Sequence, residues 1–252
     1  QLLDDKKQSD DDDKKKGSKR DNLIRHLFKI QRNIELYKDR QFNEFLRRTD
    51  YPPVKTISDK RILKNNIEKF KDKTVIETTI DNALSSNIDE CIVVLGHYAS
   101  EIMDAIFDNY KDSVKFVVNN PVDVGLSVSL YNGLSNISSE FALCITADQP
   151  TVSSETFNKM IEISQNSDNP YKTISILRRR KTGLLDTAEG LDMPFVAPRE
   201  NLMKYLKNEN DNLNPILRKI FADGYTFYGV KEKNKKELLN INHYDDYLEL
   251  LD

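Results

Sequence analysis

The chain has 252 residues, of which 38% are hydrophobic and 31% charged, and it carries a formal net charge of -3 at pH 7. That length and apolar fraction suffice for one large α/β domain or two small ones, and the near-balanced charge argues for neither nucleic acid nor a membrane surface as partner. No apolar run exceeds strand length and the beginning is polar, so neither a transmembrane span nor a secretory leader is expected.

Residues 1–20 hold the acidic run Asp10–Asp13 followed directly by Lys14, Lys15 and Lys16. Such a segment buries too little apolar surface to offset its ordering entropy, so a disordered charged tail is expected. Residues 21–53 read as a helical extension. Leu23, Leu27, Ile30, Ile34 and Tyr37 alternate at spacings of four and three, which predicts an amphipathic helix reaching Phe45, with Asp21 as its cap. The apolar stripe of residues 22–45 has two targets, a helix of a protein partner or its own domain. Tyr51-Pro52-Pro53 then stops the helix and marks the start of a domain over residues 54–252, with Val54–Ile57 as a short strand.

After Phe70 the pattern is regular. Val75, Ile76, Thr79, Ile80, Ala83 and Leu84 predict a helix, Cys91–Leu95 a buried strand, Ile102 and Ile106 a second helix, and Val114–Val118 the next strand. The stretch Asn119–Pro150 follows with a Gly/Ser turn, a helix marked by Leu126, Leu130, Leu134 and Ile137, the apolar run Phe141–Thr146, and an acidic turn, Ala147-Asp148-Gln149-Pro150. A helix near Glu155–Ser164 and a strand Thr173–Leu177 come next. Beyond them lie the basic loop Arg178–Lys181, a connection to Pro194, helices near Arg199 and Leu213, a strand Thr226–Val230 and a terminal helix after His243. Strands alternating with helices of this length predict βαβ crossovers and a three-layer α/β fold, with a mainly parallel, Rossmann-like sheet covered by helices on both faces. In such a sheet ligands sit outside the carboxyl ends of the strands, so Asp148 is placed to reach a metal or phosphate. Cys91 and Cys144 lie inside apolar strands without CxxC or Cys/His neighbours. They read as core thiols in a reducing cytoplasm.

Five segments carry a family resemblance: KTVIETTIDNAL (Lys73–Leu84), VVLGHYASEI (Val93–Ile102), VVNNPVDVGLSVSLYNGL (Val117–Leu134), ADQPTVSSETFNKMI (Ala147–Ile161) and LLNINHYDDY (Leu238–Tyr247). In this order they resemble the molybdenum cofactor cytidylyltransferases and their guanylyltransferase relatives, nucleotidyltransferases of the nucleotide-diphospho-sugar-transferase-like fold. The resemblance implies transfer of a nucleotidyl group, CMP from CTP first of all, to a molybdopterin-type acceptor with release of pyrophosphate. It places Asp148 and Asn242 on a catalytic Mg2+, with Gly125 offering backbone and Ser127 or Ser129 a hydroxyl to the nucleotide base. Oxygen ligands of this kind suit magnesium, which takes one or two from protein.

The family opens with a mid-sheet strand and a glycine-rich loop, LAAGxSxRMGxxK, that cradles the triphosphate. Here Val54–Asn65, VKTISDKRILKN, stands in that place: Ser58 and Lys60 fall on the loop's serine and arginine, while Thr56 and Ile62 occupy its glycine positions. Lys60 and Arg61 are the candidate triphosphate ligands. Side chains at the glycine positions block close backbone approach, which keeps a second expectation open: a non-catalytic nucleotide-binding or assembly module.

Overall fold

A computed structural model describes residues 69–70, 73–177 and 181–241. The tail and helical extension of residues 1–53, the strand Val54–Ile57, Lys60, Arg61, the basic residues Arg178–Arg180, Asn242 and the helix expected after His243 all lie outside the described residues.

The described chain opens with a two-residue hairpin, β1 (Lys69–Phe70) against β2 (Lys73–Thr74). Helix α1 (Val75–Leu84) starts on a reciprocal cap: the Glu77 amide donates to Thr74 Oγ1 at 3.3 Å, and the Thr74 amide donates to Glu77 Oε2 at 2.8 Å. Then come β3 (Ile92–Leu95), α2 (Ala99–Tyr110), β4 (Lys115–Val118), α3 (Leu126–Leu134), β5 (Phe141–Cys144), α4 (Ser154–Gln165) and β6 (Thr173–Leu177). The remainder is β7 (Gly183–Leu184), β8 (Phe195–Pro198), α5 (Arg199–Leu206), α6 (Leu213–Ala222), β9 (Thr226–Val230) and a 3-10 turn at Lys235–Leu238.

β3 and β4 pair in parallel, and the larger sheet has the order β5-β8-β6-β9-β7. β6 and β9 are parallel, whereas β8 runs antiparallel to both β5 and β6. β5, β6 and β9 therefore point one way, with β8 and the short β7 reversed. The expected α/β fold with a mainly parallel sheet is what the chain adopts; the four-residue β8 and the two-residue β1, β2 and β7 are absent from the sequence reading, which left the stretch between the connection to Pro194 and the helix near Arg199 unassigned. Alternation along β8 shows the layering. Phe195 and Ala197 join the core beneath α5 and α6, whereas Val196 joins Phe157 and Met160 of α4 on the opposite face. A third cluster, Ile76, Ile80, Leu95, Ile102, Ile106 and Tyr110, buries α1 and α2 against β3.

Glu90 aligns the two sheets. Its Oε1 accepts from the amides and hydroxyls of Ser138 and Ser139 at 2.8–3.0 Å, so β3 and β5 begin at the same edge. Those hydrogen bonds hold its carboxyl down at about 2. Among the described residues β3 pairs only with β4 and β5 only with β8. A cavity of about 830 Å3 borders both strands, lined by Cys91, Ile92 and Val94 on one side and Phe141–Thr146 on the other. The family's opening strand belongs mid-sheet, and the segment that would replace it, Val54–Ile57, is not among the described residues.

Candidate functional site

The acidic turn after β5 is held in place through its backbone. From α1, Thr79 Oγ1 donates to the Ala147 carbonyl at 3.0 Å and Asn82 Nδ2 to the Pro150 carbonyl at 2.9 Å. From the end of the described chain, the Ile241 amide donates to the Asp148 carbonyl at 2.9 Å, and Thr151 Oγ1 reaches the Lys236 carbonyl at 2.6 Å. Gln149, 3% exposed, donates through Nε2 to the Met193 carbonyl at 3.0 Å and to Asn240 Oδ1 at 3.1 Å. Three separate parts of the chain thus fix the turn that carries the half-buried Asp148. A rigid frame of this kind is what positions a catalytic carboxylate.

The segment beyond the 3-10 turn is locked by Glu237, which is 1% exposed. Its carboxylate accepts from the Ser153 amide at 3.0 Å, Ser153 Oγ at 2.6 Å, Thr156 Oγ1 at 2.8 Å and the Lys233 amide at 2.8 Å. The charge sits at the amino end of α4, where the helix dipole favours an anion. Sequence reading gave no sign of Glu237, since its partners on α4 lie more than eighty positions away in the chain.

Gly125, Ser127 and Ser129 gather at the start of α3, where the base-reading turn was expected, and each already has a protein partner. The Gly125 amide donates to Asn210 Oδ1 at 2.6 Å, and a Cβ on Gly125 would lie 2.9 Å from Asn210 and from the Asp211 amide nitrogen. That close approach requires glycine. Ser127 is fully buried, and its Oγ accepts from the Asp211 amide at 2.9 Å. Ser129 Oγ accepts from Asn119 Nδ2 at 2.8 Å, and Asn119 Oδ1 accepts from Asn132 Nδ2 at 2.9 Å. His97 is exposed beside β3 with Nε2 3.9 Å from Asp123 Oδ1.

The donor set decides which ion this region suits. The Asp148 carboxylate and the Thr146 hydroxyl, two residues earlier and buried with no hydrogen-bond partner, are hard oxygen donors. Among the described residues no three His, Cys, Asp or Glu side chains gather as a metal cluster. One carboxylate with accessory oxygens fits an ion that keeps most of its waters, such as Mg2+ or Mn2+, and does not fit a tetrahedral zinc site. The thiols do not contribute: both are free, and burial pushes Cys91 up to about 11 and Cys144 up to about 12.

Parallel strands β5, β6 and β9 with β8 reversed between two of them and β7 reversed at the edge, and an acidic turn after β5, fit a nucleotidyltransferase of the nucleotide-diphospho-sugar transferase fold, and the comparisons agree. Residues 67–185 match the family described as the MobA-like NTP transferase domain. A nucleotidyl transferase from Methanothermobacter thermautotroptrophicus is 38% identical, with a TM-score of 0.68 over 82% of this chain and 88% of that chain. This chain belongs to the MobA-like NTP transferase family. A Mycobacterium tuberculosis protein solved in complex with manganese shares the fold at 21% identity and a TM-score of 0.54, over 74% of this chain and 91% of that one. So does 4-diphosphocytidyl-2C-methyl-D-erythritol synthase from Anaerococcus prevotii, at 18% identity and a TM-score of 0.56, over 73% of this chain and 86% of that one.

Proposed function

We propose that the chain transfers a cytidylyl group from CTP to the terminal phosphate of a molybdopterin-type acceptor, with Mg2+ held by Asp148 and Asn242. The observation that carries this reading is the 2.9 Å hydrogen bond from the Ile241 amide to the Asp148 carbonyl, which ties the segment leading into Asn242 to the acidic turn. An oxygen of the acceptor phosphate attacks the α-phosphorus of CTP, the bond from that phosphorus to the α–β bridging oxygen breaks, and pyrophosphate leaves with the electron pair. The acceptor is its own nucleophile, so no activated serine or cysteine is required. A divalent ion bound here would neutralise charge on the phosphate oxygens.

The chain's own residues orient and exclude. Gly125 offers an amide and Ser129 a hydroxyl, which read the polar edge of a base without adding charge. A base entering this turn exchanges with the Asn210 side chain for the Gly125 amide. Ser127 shapes the turn through Asp211. Lys60 and Arg61 supply the cations for the triphosphate in place of the missing glycine-loop amides. Two free thiols suit a reducing compartment, so we place the protein in the cytoplasm. No described helix is long and apolar enough to cross a membrane.

Calorimetric titration with CTP, GTP and CMP, each with and without Mg2+, tests the nucleotide assignment. CTP heats that require Mg2+ and exceed those of GTP and CMP are expected. Equal heats with and without the ion, or no preference among bases, contradict it. CTP binding without pyrophosphate release on any phosphate acceptor favours the non-catalytic module.

A further inference from the structure

The two polar groups that base reading requires, the Gly125 amide and the Ser129 hydroxyl, are each engaged by an asparagine, and the two asparagines are held very differently. Asn119 is buried and fixed at both ends of its side chain, with Nδ2 donating to Ser129 Oγ at 2.8 Å and Oδ1 accepting from Asn132 Nδ2 at 2.9 Å. Asn210 is exposed, in the loop of residues 207–212 between α5 and α6. Among the described residues its side chain makes one hydrogen bond, accepting the Gly125 amide on Oδ1 at 2.6 Å. Because that donor is an N–H, the oxygen end of the Asn210 amide is the one turned to Gly125.

The loop stays in place without that bond. The Ser127 amide donates to the Asp211 carbonyl at 3.2 Å and the Asp211 amide donates to Ser127 Oγ at 2.9 Å, so the fully buried Ser127 fastens the loop backbone to the first turn of α3. Glycine at 125 is what allows the close packing, since a Cβ there would stand 2.9 Å from the Asn210 carbonyl carbon and the Asp211 nitrogen. The Asn210 side chain can therefore swing into water while the backbone around it holds, and water replaces the lost bond at small net cost. What replaces Oδ1 on the Gly125 amide must itself be an acceptor. The ring carbonyl oxygen and ring nitrogen of cytosine are acceptors of this kind.

We propose that Asn210 is a latch on the base-reading turn: its Oδ1 competes with the acceptor atom of the base for the Gly125 amide, and a base binds by displacing it. The latch rests on the assignment of Gly125 to the base made above. It makes nucleotide affinity adjustable from the α5–α6 loop, because the affinity measured is the intrinsic one reduced by the fraction of molecules with the latch open. The effect is confined to the base, since the Asp148 turn hangs on separate bonds from Thr79, Asn82 and Ile241.

The test titrates cytidine, which carries no phosphate charge, into the full chain and two variants of it, following the Gly125 amide resonance by heteronuclear NMR. Asn210→Ala removes the competing acceptor and should bind cytidine about three- to tenfold more tightly than wild type. Asn210→Asp keeps the acceptor and gives it a charge, which strengthens its hold on the amide, and should bind cytidine about threefold or more weakly. A side chain that only builds the turn predicts the reverse order: a loosened, weaker site in Asn210→Ala and an intact one in Asn210→Asp. Unchanged or weaker binding in Asn210→Ala, or binding in Asn210→Asp as tight as wild type, overturns the latch. Cytidine that moves the Gly125 resonance with equal affinity in wild type and Asn210→Ala removes the latch and leaves the base assignment standing. Cytidine that moves it in none of the three proteins removes both.

Discussion

Asp148→Asn is expected to lower pyrophosphate release at least about a hundredfold while the melting temperature stays where it is. The substitution keeps the side chain's shape and removes its formal negative charge. The turn keeps bonds that the substitution does not touch: Thr79, Asn82 and Ile241 all bond to backbone carbonyls of Ala147, Pro150 and Asp148. Stability should therefore move by no more than about 1 kcal/mol. An ion displaced from beside the reacting phosphate costs far more, on the order of 3 kcal/mol or above, which corresponds to the hundredfold loss. Steady-state pyrophosphate release and a thermal melt, run on the same preparation, check both halves. A variant as active as the wild type would reduce Asp148 to a turn residue.

Glu237→Ala should show the opposite balance. Removing the carboxylate strands the amides of Ser153 and Lys233 and the hydroxyls of Ser153 and Thr156, in a place that is 1% exposed. Loss of a buried, multiply bonded charged group costs about 3–5 kcal/mol. For a domain of this size that is a fall in Tm on the order of 10 °C. The damage also reaches the site, because Glu237 lies in the 3-10 turn that leads to Ile241, and Ile241 holds the Asp148 carbonyl. Differential scanning calorimetry reads the first effect. A Tm within about 2 °C of wild type would show that the segment is held by other contacts.

These two residues mark how far the sequence can be read. β3, β4, β5, β6 and β9 stood out because each is a run of apolar residues between helical spacings, and Asp148 stood out because it follows one of them. β8 did not, since FVAP is four residues bracketed by Pro194 and Pro198, and its place between β5 and β6 depends on antiparallel pairing with strands far off in the chain. Asn210 and Gln149 were invisible for a related reason. Nothing local distinguishes an asparagine in a polar loop from one whose carbonyl occupies the Gly125 amide 85 positions away, or a buried glutamine from an exposed one. Periodicity reports which face a residue turns to the core, while the partner of a single polar atom is set by topology.

The central claim is that Asp148 holds a divalent ion against the transferring phosphate. Anomalous diffraction at the manganese edge, from crystals grown with Mn2+ and a non-hydrolysable CTP analogue, tests it most directly. The account expects one manganese peak at about 2.2 Å from an Asp148 carboxylate oxygen and in contact with the α-phosphate. Nucleotide bound in the cleft with manganese elsewhere, or with none near Asp148, would contradict it.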